Sequence, residues 1–346
     1  MIKVKKEGII LKKTDLEFEN EGVLNPAAIR EGDSVHLFYR AVQKGNHSSI
    51  GYCRLDGPLT VAERWEKPIM VPEFDYESHG VEDARIVKID DLYYMTYTAY
   101  DGTNALGALA TSKDLIHFQK QGIIVPDMSY AEFVFLAESA GKVNVNYYRN
   151  QKFYFQEADP DKKIKLWDKN VVFFPRRING KLMFLHRIRP GIQIVSVTDL
   201  KELNKEFWKN YFLNLEEHIV LDPKYEHESS YIGSGCPPIE TKYGWLLIYH
   251  GAKETDKGLI YSACAAALLD LDNPAKVITR LPYALFSPEL EWEIKGDVNN
   301  VVFPTGTAQF GDTLYIYYGA ADERIACASL SLSALLEELL INTRTV

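Results

Sequence analysis

The stretch HGVEDARI, residues 79–86, sets two adjacent carboxylates, Glu82 and Asp83, at the start of an apolar run, with Arg85 two places on. A solvated turn would account for acidic residues there. So would an active site, in which one carboxyl supplies a proton and its neighbours set its charge. Basic residues stand in comparable places elsewhere: Arg40 at the end of HLFYR, Lys169 before NVVFFP, Arg187 at the end of MFLHR and His250 at the end of LLIYH. Acid and base placed alike along the chain call for elements that bring them together.

Those elements repeat. NPAAIREGDSVHLFYRAV, EDARIVKIDDLYYMTYTAY, FPRRINGKLMFLHRI, CPPIETKYGWLLIYHGA and FPTGTAQFGDTLYIYYGA share one layout. Each has a short strand, a turn pair and a second strand rich in aromatic and β-branched residues. The pairs Gly32-Asp33, Asp90-Asp91, Asn179-Gly180, Tyr243-Gly244 and Gly311-Asp312 include residue types that accept positive φ, which is hairpin chemistry. A third strand of small apolar residues follows each hairpin (SIGYCRL, LGALATS, IQIVSVT, SACAAALL, RIACASL), and KPIMVP, QGIIVP and ALFSP read as fourth strands. Five four-stranded units predict an all-β, five-bladed β-propeller spanning residues 1–346 as one domain. The N-terminal EGIIL would complete the last blade and remove the free edges. LSALLEELLIN is the one helix expected, and 127–168 is a stretched connection.

In such a ring the starts of the first strands and the ends of the second strands meet at one mouth of the channel. Those positions give Asn25 and Arg40, Asp83 and Arg85, Arg176 and Arg187, His250, and Tyr318 with Asp322, with Lys169 just upstream of the third unit. A narrow core filled with mixed charge would cost several kcal/mol per unpaired ion. A polar pocket is the expectation.

Bulk composition narrows the classes. A net charge of −9 over 346 residues argues against a sequence-independent nucleic-acid binder. No apolar run reaches membrane-spanning length and MIKVKKEGIILKK carries no signal-peptide core, so a soluble cytoplasmic protein is expected. Cys53, Cys236, Cys264 and Cys327 form no CxxC pair, and the histidines form no HExxH, so neither metal nor disulfide framework is expected. Nothing in the chain fixes whether it forms a homo-oligomer.

GVEDARI, YYMTYTAYDG, FPRRINGKLMFLHR, GSGCPPIETKYGWLLIYHG, NNVVFPTG and YYGAAD, in that order, resemble the recurring motifs of glycoside hydrolase family 130, the β-mannoside phosphorylases and some β-mannosidases. The resemblance runs from about Asn25 to Asp322 and implies the same five-bladed fold. It implies an inverting reaction in which inorganic phosphate attacks a β-mannoside and releases α-mannose 1-phosphate, with no other cofactor. Asp83 would be the general acid, acting directly or through a sugar hydroxyl. Arg40, Lys169, Arg187 and His250 would bind phosphate; Asn25, Glu82, Arg85, Tyr318 and Asp322 would contact the sugar. Ordinary inverting glycosidases set two carboxyls roughly 6.5–9.5 Å apart. A phosphorylase replaces the second with a dianion, which needs cations. Arg176-Arg177, Cys236-Pro237-Pro238 and the run HRIRPGIQI, with Arg189 and Gln193, depart from the usual pattern, so linkage and acceptor stay open. Two other readings remain: a hydrolase of the same family, with Glu228 or Glu240 as base, and a non-catalytic propeller, which would have no use for Asp83.

Overall fold

The computed structural model describes residues 2–140, 143–148, 164–255, 258–262 and 265–343. It is a five-bladed β-propeller. Blade 1 runs outward through Gly22–Glu31, Ser34–Gln43, His47–Asp56 and Thr60–Arg64; blade 2 through Gly80–Ile89, Leu92–Tyr100, Ala105–Ser112 and Gln119–Ile123. Blade 3 comprises Lys169–Phe173, Leu182–Arg187, Ile192–Val197 and Ile219–Leu221. Blade 4 comprises Tyr231–Ser234, Gly244–Thr255, Ala266–Leu269 and Val277–Arg280. Blade 5 is Val302–Phe310, Thr313–Ala320 and Arg324–Ser331, closed by the N-terminal strand Lys5–Leu11, which pairs Lys5 with Ser329 and Leu11 with Ile325. The expected ring closure is thus present.

The hairpins follow from their turns. Asp90 and Asp91 both have positive φ (49° and 61°), as do Asn179 and Gly180 (51° and 78°), the conformation that matches the twist of paired strands. Among the described residues four apolar clusters fill the wedges between blades; the one joining blades 1 and 2 contains Phe38, Ile50, Met95 and Tyr97. Cys53, Cys236 and Cys327 are buried free thiols, while Cys264 lies outside the described residues.

Three expectations about elements need correction. The fourth strand of blade 1 is Thr60–Arg64, and the backbone of KPIMVP joins blade 1 at the Ile50–Met70 bridge rather than as a strand, because its two prolines lack ladder donors. In blade 4, Val277–Arg280 takes that place rather than ALFSP. Helices also occur before the C-terminal one (Leu332–Thr343): Tyr130–Ala140 and Lys205–Leu213 pack on each other, with Phe133 edge-on to Phe212 at 5.2 Å. The second was legible: Asn204 caps it by accepting from the Glu206 and Phe207 amides, and Trp208, Tyr211 and Phe212 bury one face.

A polar arrangement recurs between blades. Tyr39, Tyr97, Tyr249 and Tyr318, in the second strands, each donate a hydroxyl to a fully buried glutamate: Glu19 (2.8 Å), Glu77 (2.9 Å), Glu228 (2.6 Å) and Glu293 (2.6 Å). Each glutamate sits in a short helical turn before its blade and meets a cation from the fourth strand: Arg64 (2.8 Å), Lys120, Arg280 (3.5 Å) and Lys6 (2.6 Å). Breaking a buried pair of this kind costs about 3–5 kcal/mol. The triads therefore pin each second strand at the residue just before its channel-facing position.

Candidate active site

The innermost strands of blades 1, 2, 3 and 5 carry a bulge near their starts. Register shifts fall between Leu24 and Ala27, Glu82 and Arg85, Lys169 and Val172, and Pro304 and Gly306. In the first three blades the bulged residue is Asn25, Asp83 or Asn170, at φ 49°, 50° and 55°. Asn and Asp are the side chains that best tolerate the left-handed region, and a bulge re-aims the residue it contains. Here it turns Asn25 and Asp83 toward each other: Asn25 Nδ2 donates to Asp83 Oδ1 at 2.7 Å.

One residue before the bulge in the first three blades, and near the strand starts of blades 4 and 5, the ladder pairs with the second strand: Leu24 with Arg40, Glu82 with Thr98, Lys169 with Arg187, Gly233 with His250 and Phe303 with Gly319. Directly opposed residues share a face, so the cations converge by register. Two of these positions demand glycine. A Cβ on Gly233 would lie 2.5 Å from His250 Cε1 and 2.8 Å from Arg187 Cδ, and one on Gly319 would lie 2.1 Å from Asn25 Oδ1.

Arg40 is held in place by its Nε to Ser48 Oγ at 2.8 Å, and by Nη2 to Glu82 Oε1 at 2.9 Å and to Asn46 Oδ1 at 3.3 Å. Its Nη1 stands 4.0 Å from Asp83 Oδ1. Arg187 lies over the Tyr231 ring at 5.2 Å and Arg189 over the same ring at 3.8 Å. His250 is fully buried against Phe303, and neither of its ring nitrogens has a hydrogen-bond partner among the described residues. Lys169 stands opposite Arg187 in the ladder, with its Nζ 5.7 Å from the Trp167 ring.

Burial alone would raise the Asp83 carboxyl, but Arg40, Lys169, Arg85 and the Asn25 bond together hold it below the ordinary carboxylate range. Burial lowers Lys169, only partly offset by Glu82 and Asp83. Burial, reinforced by Arg187 and Arg85, keeps His250 well below its usual value and therefore neutral. Burial, with Asp83 and Asp297 adding repulsion against the pull of Arg40, pushes Asp322 up to about 7. Asp322 shares a cavity of about 380 Å³ with Glu21, Arg40, Asn46 and Asp297. The mouth is thus divided: acidic toward blades 1 and 5, basic toward blades 3 and 4, with Asp83 adjoining both.

Asn25, Arg40, Glu82, Asp83, Lys169, Arg187, His250 and Asp322 come together as the sequence predicts. Tyr318 does not; it is buried, with its hydroxyl on Glu293, and the channel position is its neighbour Gly319. Arg85, expected to face sugar, gives Nε to the Gly235 carbonyl and Nη1 to the carbonyls of Asp83 (2.8 Å) and Ala84 (3.0 Å). It ties the Asp83 bulge to blade 4. Arg176 is half exposed in a two-bond pair with Glu240 at 2.8 Å. Gln193, a departure placed at the rim, is buried and bonds both backbone groups of Ile188. Sequence reasoning missed Asn46, Ser48 and Asp297, which lie on loops and strand ends without a periodic signal.

Both candidate bases for a hydrolase are committed elsewhere. Glu240 holds Arg176, and Glu228 accepts from the Lys224 and Tyr225 amides (2.7 and 3.1 Å) and from Tyr249.

The glycoside hydrolase family 130 profile, described as β-1,4-mannooligosaccharide phosphorylase, matches residues 10–340. A 1,2-β-oligomannan phosphorylase of Thermoanaerobacter sp. (strain X514) is 35% identical over 96% of this chain and 98% of its own. A β-1,2-mannobiose phosphorylase of the same organism is 34% identical over 90% and 91%. Among solved structures, the β-1,2-mannobiose phosphorylase of Listeria innocua in complex with β-1,2-mannobiose superposes with a TM-score of 0.73 at 24% identity, covering 98% of this chain and all of that one. With the motifs in order, the five blades closed and the profile matched over nearly the whole chain, this protein belongs to glycoside hydrolase family 130.

Proposed function

We propose that the protein is an inverting β-mannoside phosphorylase acting on β-1,2-linked mannobiose and short oligomannans. The observation that carries this reading is the partition of the channel mouth around Asp83. Lys169, Arg187 and neutral His250 offer donors suited to a phosphate dianion, while Asp322, Asp297 and Glu82 offer acceptors for sugar hydroxyls, and Arg40, paired with Glu82 and 4.0 Å from Asp83, stands at the boundary where it can reach either. A phosphate oxygen attacks C1, the glycosidic C–O bond breaks, and the leaving oxygen takes a proton from Asp83, directly or through a sugar hydroxyl. The product is α-mannose 1-phosphate. The β-1,2 linkage is favoured because relatives acting on it are 35% and 34% identical over nine-tenths or more of the chain, whereas a 4-O-β-D-mannosyl-D-glucose phosphorylase of Bacteroides fragilis is 25% identical over 91% and a β-1,4 phosphorylase of Ruminococcus albus aligns over 47%. A cytoplasmic place of action belongs to the same reading, since phosphate is abundant there.

The engagement of Glu228 and Glu240 speaks against a water-activating base at either residue. The test is incubation with β-1,2-, β-1,3- and β-1,4-mannobiose, with and without inorganic phosphate, assaying mannose 1-phosphate and free mannose. Phosphate-dependent mannose 1-phosphate from the β-1,2 disaccharide is expected; equal free mannose without phosphate would replace this reading with hydrolysis.

A further inference from the structure

Blade 3 breaks the tyrosine–glutamate–cation pattern of the other four. The second-strand position occupied by Tyr39, Tyr97, Tyr249 and Tyr318 is His186 here, immediately before Arg187. Its carboxylate partner is Asp168, immediately before Lys169, with His186 Nδ1 to Asp168 Oδ2 at 2.6 Å. The third member is Tyr211 from the helix Lys205–Leu213, whose hydroxyl lies 2.7 Å from His186 Nε2 and donates to the Ile194 carbonyl at 3.0 Å. Asp168 and His186 are both fully buried, and among the described residues no lysine or arginine pairs with Asp168.

The protons can be counted. A carbonyl only accepts, so the single hydroxyl proton of Tyr211 goes to Ile194. The Tyr211 oxygen must then accept from His186 Nε2, and Asp168 accepts from Nδ1. In this arrangement of protons both ring nitrogens carry hydrogen, which would make His186 an imidazolium. It would then supply inside blade 3 the positive charge that a fourth-strand Lys or Arg supplies in the other blades. The other oxygen of Asp168 accepts from the Arg187 amide at 3.3 Å, and Lys169 and Arg187 face each other in the ladder. One buried carboxylate thus binds the backbone of Arg187 and belongs to the residue that precedes Lys169.

We propose that Asp168, His186 and Tyr211 form a positioning unit that fixes the spacing of Lys169 and Arg187 for phosphate, with His186 protonated. The proposal rests on the phosphate site described above. These residues touch no substrate; they act through the strands they brace. Exchanging the pattern at this blade alone brings the ion pair next to the two cations instead of one turn away in a preceding loop.

Two variants and one spectrum test it. Tyr211→Phe removes the acceptor for Nε2–H and is expected to raise the KM for phosphate about tenfold, the worth of a hydrogen bond to a charged group near 1.4 kcal/mol. The KM for mannoside and kcat at saturating phosphate should stay within about twofold, because the effect of a positioning group lies in binding. Tyr97→Phe removes the corresponding hydroxyl in blade 2 and should lower Tm without moving the phosphate KM. Nitrogen-15 histidine spectra of the wild-type protein at pH 7 should show one buried imidazole with both nitrogens protonated. A phosphate KM unmoved by Tyr211→Phe, an equal rise in Tyr97→Phe, or a neutral His186 overturns the proposal. If Tyr211→Phe does not fold, the nitrogen shifts decide alone. A protein that turns over no mannoside would sink the functional reading, while the spectra would still judge His186.

Discussion

Asp83→Asn is the perturbation that bears most directly on the chemistry. The position has φ 50°, which Asn adopts as readily as Asp, and an Asn oxygen can still accept from Asn25 Nδ2. The structural cost is therefore confined to the lost charge beside Arg40, about 1 kcal/mol on the scale of a single net hydrogen bond. Loss of a general acid is worth far more, about 10²–10⁴-fold in kcat, or roughly 3–5 kcal/mol of barrier. The assay is initial-rate release of mannose 1-phosphate, with Tm measured alongside. An aryl β-mannoside, whose phenolate departs without a proton, should lose much less than mannobiose does. The pH profile carries a second arm. A group that must be protonated loses function as pH rises through its pKa, and in the free protein Arg40, Lys169 and Arg85 outweigh burial and keep Asp83 below the ordinary range. Phosphate bound among those cations offsets their field and raises the acid. The alkaline fall of kcat should then lie at higher pH than that of kcat/KM measured at low phosphate. Equal losses for both leaving groups, or coincident limbs, would refute the assignment of Asp83 as the acid.

Three further outcomes are expected. Arg187→Ala should raise the phosphate KM by about tenfold or more, the scale of a charge-assisted contact, with the mannoside KM little changed; steady-state kinetics with each substrate varied decides, and an unchanged phosphate dependence would remove Arg187 from the cradle. Asp322 binds its proton more tightly in the fold than in the unfolded chain, with a pKa raised to about 7. Its contribution to stability is full below the unfolded value near 3.8 and is lost as pH rises through about 7. Ligand-free Tm should therefore fall more steeply over that window in the wild type than in Asp322→Asn, and parallel curves would contradict the raised carboxyl. Glu240→Gln, which breaks only the half-exposed pair with Arg176, should cost less than about 1 kcal/mol and leave activity within about twofold; a total loss of turnover would revive Glu240 as a base.

Much of this protein is written locally. The five hairpins follow from turn residues that accept positive φ, and the convergence of Arg40, Arg187 and His250 follows from hairpin register, which short loops fix. Asn25 and Asp83 could be singled out because they stand at the starts of first strands, which a closed ring of blades brings to one mouth. Tyr318 shows how that reading fails. Side chains alternate faces along a strand, so choosing Tyr318 instead of Gly319 moves the chosen residue from the channel to the interior. Arg176 fails likewise, since the bulge of blade 3 lies earlier, at Asn170, and brings Lys169 to the mouth.

The rest required the closed ring. Glu293 finds Tyr318 from a turn before its own blade and Lys6 from the opposite end of the chain, and no periodicity records such a meeting. Arg85 looks like a ligand for sugar in sequence, yet its Nε and Nη1 go to backbone carbonyls on two blades, and among the described residues only its Nη2 is left without a partner. The hydrolase candidates Glu228 and Glu240 looked available until their partners Tyr249 and Arg176 were seen. The sequence by itself determined the blades, their closure and the residue types at the channel, because these depend on turn chemistry and two-residue alternation. Only the tertiary structure decided which charges are occupied with holding the fold and which remain for a ligand, because that depends on contacts between segments from 21 residues (Glu228 and Tyr249) to 287 residues (Lys6 and Glu293) apart.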